Sequence, residues 1–559
     1  MIQKILKKET NSITFAAVIL AGSSILSALL GFLRDRLLAS KFGAGAELDI
    51  YYSAFRIPDL VFGLLVSGGI IAAFLPIFSE YYKKDRKEAW NLTSNVLNVF
   101  LFSSILICLL LVIFVPYFIK FVVPGFDKEA RQMTITLTRI MFLSPIFFGI
   151  SNIFASILQY FHRFLMYALA PLLYNIGIIV GILVFYPFFG LKGLAFGVVF
   201  GAFLHWFCQI PSALHCGFSW RPIFTLKSSG LIRIVRLMIP RTISAVLFHI
   251  NLIVITAIGS TIGKGAIAVF NLAEHFRSLP IGIVGGSFAV AAYPFLAKLE
   301  TEEKRERFIK SFSSTCRKIL FLTIPLSFLL FLLRTQIIRL ILGAGKFDWL
   351  ATRLTAGSLG LFAFGIFAYS LIPLFVRAFF ALQDTKTPLI ISAIALSFNV
   401  LFAFLFVWLF SFENLFSYLF VWLLNLEGIK NIKVLGLSLA ISFAGIFQLI
   451  LLFLFLRKKI GDFEIARIKK SFLKILSASI LMSVFVYLSL YFVAEFVNMQ
   501  TWIGVFLQTI FAGGIGVLIY FFFAYILNLE EARAILKKII RGGTPSKPPP
   551  REGEIKRGR

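Results

Sequence analysis

Apolar positions along this chain do not alternate with polar ones. They gather into runs of roughly 20 residues, separated by short polar stretches. A helix of that length crosses about 30 Å of hydrocarbon with its backbone N–H and C=O groups bonded internally. Period-two alternation over about ten residues, the mark of a transmembrane barrel strand, is absent. The runs predict fourteen membrane-spanning helices, at 13–33, 51–78, 96–119, 134–158, 165–187, 192–213, 237–259, 267–297, 319–342, 355–381, 388–410, 434–456, 475–493 and 501–527. The first is too long for a signal-peptide core and lacks a small-residue cleavage site, so it is expected to remain as a span. Segment 411–433, polar-flanked around LFSYLFVWLL, reads as an interfacial or re-entrant insertion. The fold class is therefore an all-α integral membrane protein.

Composition sharpens this picture. Hydrophobic residues make up 59% of the chain and charged residues 14%, against about 25% charged in soluble domains. A soluble enzyme is excluded. No Walker loop, HExxH helix or Rossmann glycine pattern occurs. Cys108, Cys208, Cys216 and Cys316 lie in or beside apolar runs without CxxC spacing, and read as small hydrophobes in helix packing. No metal and no cofactor is expected.

The net charge of +29 raises nucleic acid as a partner until its placement is considered. With the N-terminus inside, the inner segments hold roughly two and a half times as many Lys and Arg as the outer loops, as the positive-inside rule requires. The richest are 298–318, 457–474 and the tail after 528. The charge thus reports topology, with both termini cytoplasmic, and contact with anionic membrane lipids. Nucleic acid is not expected. The end of the tail, GGTPSKPPPREGEIKRGR, reads as disordered.

A duplication is visible at a distance of six spans. Gln159 precedes Asn175, and Gln383 precedes Asn399, by the same interval, each running through a short basic inner loop with a nearby proline (Pro171, Pro388). Spans 2 and 8 match as well: Arg56 and Pro58 against Arg277 and Pro280, then a Gly-Gly pair, then Pro76 against Pro294. Six is even, so the halves point the same way, and parallel repeats place a substrate site between them.

An ionisable group inside a span costs at least about 2.5–3.5 kcal/mol, so it faces a cavity or a partner. Arg139, Arg241 and Arg377 lie near span ends, where snorkelling accounts for them. Arg56 and Asp59 share a face of span 2. Glu274, His275 and Arg277 lie at the equivalent depth of span 8, so the two groups are expected to line one shared cavity. Arg34 and Asp35 close span 1, and Asp49 opens span 2. They read as an outer-surface ion pair or, since a guanidinium fork matches a diphosphate, as a substrate site.

These residues resemble a known family. LGFLRD (Leu30 to Asp35), FGAGAELD (Phe42 to Asp49), FRIPDL and AFLPIFSEY (Ala73 to Tyr81) are similar to the N-terminal signature of the lipid II flippases, MurJ or MviN. RAFFALQDTKTP (Arg377 to Pro388) resembles that family's most distinctive loop, and GKFD before span 10 fits too. The resemblance implies the multidrug/oligosaccharidyl-lipid/polysaccharide exporter fold. Two six-helix lobes, expected at 1–213 and 237–456, flank a central cavity, with two extra C-terminal helices at 475–527 forming a lipid groove and a basic tail at 528–559. It implies transport of a polyprenyl-diphosphate-linked cell-wall precursor, lipid II, from inner to outer leaflet of the bacterial cytoplasmic membrane. Membrane lipids and the cell-wall synthesis machinery are the further partners it suggests.

The resemblance carries functional roles to Arg34, Asp35 and Asp49, and Arg56 occupies a place that is basic in relatives. With Asp59, Glu274, His275 and Arg277 from the span 2 and span 8 charges, these are the candidate substrate or cavity residues, Arg277 standing in for a cavity cation. The resemblance assigns loop or gating roles to Arg377, Gln383, Asp384, Lys386 and Pro388. The chain also departs from the family. Cavity arginines of relatives fall on Ala28, Phe62 and His275, and a cavity glutamate on Ser67. Of the sodium-coordinating pattern Asn399 remains, while Ile255, Ala403 and Ile441 replace oxygen-bearing side chains. Alternatives are a flippase for an O-antigen or capsule repeat, a small-molecule exporter of the same superfamily, and a non-transporting scaffold for envelope assembly.

Overall fold

The computed structural model describes residues 13–67, 69–301 and 304–534. The expectations for residues 1–12, for the tail beyond 534 and for the side chains of Ser67 and Arg241 lie outside the described residues. Among the described residues, fourteen helical rods follow the expected order. Seven are single helices: span 1 (Ile13–Phe42), span 3 (Arg86–Val122), span 7 (Ser229–Ile262), span 11 (Lys386–Leu409), span 12 (Val434–Ile460), span 13 (Ile465–Phe496) and span 14 (Trp502–Ile526). The others are jointed. Span 2 runs through Ala46–Ala54, Arg56–Phe62, Gly63–Ser67 and Ile70–Lys84, and span 8 through Ala266–Pro280, Ile281–Gly286 and Ser287–Thr301. Spans 4 (Lys128–Met141, Leu143–Tyr160), 5 (Phe164–Val180, Gly181–Phe185, Tyr186–Phe189), 6 (Leu191–Phe207, Ile210–His215), 9 (Arg305–Leu332, Arg334–Leu342) and 10 (Trp349–Ala363, Ile366–Ala381) complete the set.

Among the described residues, eleven rods are long and apolar enough to cross a membrane, or twelve with the bent span 10. The remaining two are spans 1 and 2, which carry Arg34, Asp35, Arg56 and Asp59 within the rod. Span 1 was expected to end at Leu33, yet it continues to Phe42. The residues after Leu33 bury Asp35, Leu38 and Ala39, and the helix stops only where Gly43 turns to φ +63°. Arg34 and Asp35 therefore lie two turns inside a helix.

The duplication governs the packing. Span 1 packs on span 5 and span 7 on span 11; span 5 packs on 6 and 11 on 12; span 2 packs on 4 and 8 on 10. Spans 13 and 14 pair with each other, and 13 lies against span 9. One polar clamp is reproduced in both lobes: Asn175 Nδ2 donates to Ser27, and Asn399 Nδ2 donates to Asn251, each 148 residues earlier. Spans 2 and 8 each break into a π turn (Gly63–Ser67, Ile281–Gly286) between their two prolines, where the ring removes a helical donor. Gln159 and Gln383 are not equivalent. Gln159 lies in the last turn of span 4, whereas Gln383 is itself the turn residue at φ +58°, matching His162 at φ +54°.

Segment 411–433 contains the helix Leu415–Leu424, ten residues and about 15 Å, too short to cross. A reciprocal Asn414–Ser417 capping box starts it and Asn425, at φ +54°, ends it. Arg353 donates to the Asn425 and Glu427 carbonyls, fastening the segment to span 10, while Leu415, Tyr418, Leu419 and Trp422 remain exposed.

Candidate functional site

The odd-numbered spans finish, and the even-numbered begin, at what is called here the distal end. The opposite, proximal end holds the start of span 1. Spans 1–6 and spans 7–12, the two halves of the repeat and below its N- and C-terminal lobes, meet distally through a set of polar ties.

Asp35, 1% exposed, sits at the centre of the first tie. Its Oδ1 accepts from Arg34 Nε at 3.0 Å and Nη2 at 2.9 Å, and its Oδ2 faces His275 Nδ1 of the opposite lobe at 2.7 Å. Arg34 Nη1 also donates to Asn175 Oδ1 at 3.1 Å. Asp35 is thus enclosed, while Arg34 keeps 18% of its side chain exposed. Adjacent, Arg56 is 6% exposed and reaches across the seam: Nε donates to Thr256 Oγ1 at 2.6 Å and Nη2 to Asn271 Oδ1 at 2.7 Å. Arg34, Arg56, Asp59, Asn271 and His275 surround a cavity of about 130 Å³, walled by Tyr51, Tyr52 and Tyr174. Buried arginines are tolerable here because carboxylate, amide and hydroxyl oxygens replace the water they lose.

The span 8 charges divide. His275 faces this cavity, but Glu274 and Arg277 line a second one, of about 140 Å³, inside the C-terminal lobe with Asn251, Tyr369, Asn399 and Gln448. Arg277 Nη2 donates to Glu274 Oε1 at 2.5 Å, and its guanidinium lies 4.4 Å from the Tyr369 ring centre and 4.9 Å from that of Phe362. The shared cavity expected from matching depth is therefore two cavities, because the rotation of the helix turns neighbouring residues to opposite sides. Ile255, Ala403 and Ile441, at the sodium-pattern positions, are buried and apolar.

Asp49 makes the second tie. Its Oδ2 accepts from Gly265 N at 2.5 Å and its Oδ1 from Ala268 N at 2.8 Å, so a carboxylate of one lobe caps the first turn of span 8 in the other. Gly265, at φ +87°, has no room for a Cβ against the Ala44 carbonyl, and the lobes approach there backbone to backbone. Arg36 Nη1 donates to the carbonyls of Leu340 (2.7 Å) and Ile341 (3.1 Å), and Lys346 N to that of Ser40 (2.8 Å). Proximally the picture changes: Ile25, Leu26 and Leu29 of span 1 and Ile283, Val290 and Phe295 of span 8 are exposed.

The loop motif lies at the proximal end, on the far side from these ties. Arg377 is half-buried in span 10, Lys386 is exposed and Pro388 is buried in the first turn of span 11. Asp384 accepts from Thr387 N (3.0 Å), Thr387 Oγ1 (2.8 Å) and Lys459 Nζ (2.7 Å), tying spans 11 and 12 together. Partial burial pushes its carboxyl upward, but the hydrogen bonds from Lys459 and Thr387 outweigh this and hold it at about 2. Sequence reasoning missed Thr256, Asn271 and Arg36 as seam residues. The signal available for Asn271 was an amide within an apolar span.

The family profile described as lipid II flippase MurJ matches residues 38–507. A probable lipid II flippase MurJ of Thermotoga maritima is 28% identical over 522 residues, covering 92% of this chain and 97% of the relative. One from Borreliella burgdorferi is 28% identical over 391 residues, covering 69% and 76%. Among solved structures, a lipid II flippase MurJ in an inward closed conformation superposes with TM-score 0.73 at 27% identity, covering 93% of this chain and 100% of that one. An inward-facing multidrug resistance MATE family transporter of the MOP superfamily, at 16% identity and TM-score 0.61 over 80% and 99%, shares the fold.

Proposed function

The chain belongs to the lipid II flippase MurJ family, and on that premise we propose that it moves its substrate by alternating access through the Arg34–Asp35–His275 junction. It is a lipid II flippase, carrying the polyprenyl-diphosphate-linked cell-wall precursor across the membrane for peptidoglycan synthesis. In this reading the membrane is the bacterial cytoplasmic membrane, the proximal end faces the cytoplasm, and the cell-wall synthesis machinery takes over the product. The excess of Lys and Arg at that end supports the orientation.

The observation that carries the mechanism is one buried carboxylate shared between an arginine of one lobe and a histidine of the other. A diphosphate entering the 130 Å³ cavity competes with Asp35 for the Arg34 fork and for His275, with Arg56 as the next cation. Once the diphosphate holds both groups, Asp35 no longer joins the lobes. The seam then loosens and the distal end opens. An inside-negative potential favours outward movement of the anionic head by about 2.3 kcal/mol per charge per 100 mV. Glu274 and Arg277, paired in their own lobe, act as structural charges in this scheme.

Replacing Arg34 tests it. Lysine keeps the charge and loses the planar fork, and a charge-assisted bond of this kind contributes about 1.5–3 kcal/mol. In cells depleted of their own flippase, Arg34→Ala should abolish growth rescue and Arg34→Lys should impair it, both at normal membrane abundance. Full rescue by both variants would remove Arg34 from the mechanism.

A further inference from the structure

At the distal end a cavity of about 710 Å³ lies between the lobes, separate from the central one. Its floor is apolar, with Phe42 of span 1, Ile262 and Val269 around the span 7–8 turn, and Leu354 and Val434 of spans 10 and 12. Its rim carries three lysines from three segments: Lys264 between spans 7 and 8, Lys346 between spans 9 and 10, and Lys430 from the 411–433 insertion. All three are exposed, and none forms an ion pair within the described residues. The carboxylate on the rim, Asp348, accepts from Ala351 N at 2.7 Å as the cap of Trp349–Ala363, and against three lysines it leaves the rim with an excess of positive charge.

Like charges converging on a cleft repel one another, and the field they focus attracts an anion. The segments bearing them are held in place. Lys346 N donates to the Ser40 carbonyl at 2.8 Å, and Asn431 Nδ2 to the Ile262 carbonyl at 3.3 Å, which seats the insertion on the span 7–8 turn. Phe42 to Gly45 of the N-terminal lobe close the remaining wall, so both lobes build the cavity.

We propose that this vestibule is a second anion site, which takes a phosphate-bearing group presented at the distal face, either a free diphosphate or a lipid phosphate headgroup. The lysines hold it as point charges, and the insertion supplies one of them. Because both lobes build the site, an occupant binds the closed distal state and not the open one, and its binding holds the transporter shut. The site shares no residue with the Arg34–Asp35–His275 junction, so it stands or falls independently of the transport reading.

Hydrogen exchange on the full-length protein in phosphatidylcholine nanodiscs tests this. Peptides covering 262–266, 343–351 and 426–434 are followed with and without inorganic diphosphate. A second arm uses phosphatidylglycerol discs without added diphosphate. Exchange in the wild type should slow about tenfold at ten times the dissociation constant. The protection should vanish in the Lys264→Gln/Lys346→Gln/Lys430→Gln variant and survive in Arg34→Gln. Protection in the diphosphate arm assigns a free anion, and protection in the phosphatidylglycerol arm a headgroup. Absence of protection in both arms overturns the proposal. So does protection that the triple variant retains, or that Arg34→Gln alone removes.

Discussion

Asn175 and Asn399 hold the same place in the two lobes, each clamping its helix to a partner 148 residues earlier. The residues around them do not correspond in the same way. Where the N-terminal lobe has Arg34 bonded to Asn175 and open to the seam, the equivalent position of the C-terminal lobe is Ile258, buried in apolar packing. Arg56 reaches across to Thr256 and Asn271 of the other lobe; Arg277, its sequence counterpart, stays at home with Glu274 under Tyr369. Duplication has kept the contacts that set helix spacing and let the charges diverge. One lobe's cations face the seam, and the other's ion pair is enclosed.

The comparison breaks most visibly at Arg277. Removing it leaves Glu274, one-fifth exposed, without its partner, a loss of about 1.5–3 kcal/mol. Arg277→Ala should therefore lower membrane abundance and the unfolding temperature, and Glu274→Leu/Arg277→Met should restore much of both. A stable, abundant Arg277→Ala protein that fails to rescue growth would instead return Arg277 to the transport path.

Asp49 comes next, as the cap that one lobe lends to the other. Its loss should cost the shut distal seam about 1.5–3 kcal/mol, shifting the open population roughly ten- to a hundredfold. In a cysteine-free background bearing Ala266→Cys, at a position buried while the seam is shut, thiol labelling from the distal side should accelerate on adding Asp49→Ala. An unchanged rate would mean that the glycine contacts and Arg36 close the seam unaided.

The asparagines give a smaller, sharper contrast. Asn175→Ala and Asn399→Ala should each lose about 1 kcal/mol of stability. Only Asn175→Ala should depress transport, since it alone releases Arg34. Equal transport defects would show the clamp, and not the arginine, to be what matters. The smallest effect is expected for sodium. Ile255, Ala403 and Ile441 are buried carbon at positions where a sodium ion would need oxygen. Flipping in proteoliposomes should persist when potassium replaces sodium, and a collapse would reveal a sodium site built from other residues.

Much of this was legible in the amino-acid order. The runs that predicted spans became rods in the same sequence, and the arginine–proline–glycine spacing of spans 2 and 8 became two π turns. The reach of span 1 to Phe42 was not legible, because Arg34, Asp35 and Arg36 look like a membrane boundary when no partner is in view. Nor was the parting of Glu274 and Arg277 from His275, since equal depth along a helix says nothing about which side each residue faces.

What the sequence determined by itself was local or periodic: the length of each apolar run, the side to which basic loops belong, the breaking of helices at proline and glycine, and the repeat. Hydrocarbon thickness and backbone hydrogen bonding act on each segment separately, so these properties need no neighbour. The tertiary structure decided who meets whom. Asp49 caps a helix that begins more than two hundred residues later, and Asp35 finds His275 at a similar distance. Such pairs depend on the rotation and tilt of packed rods, and a few tens of degrees about a helix axis exchanges one partner for another.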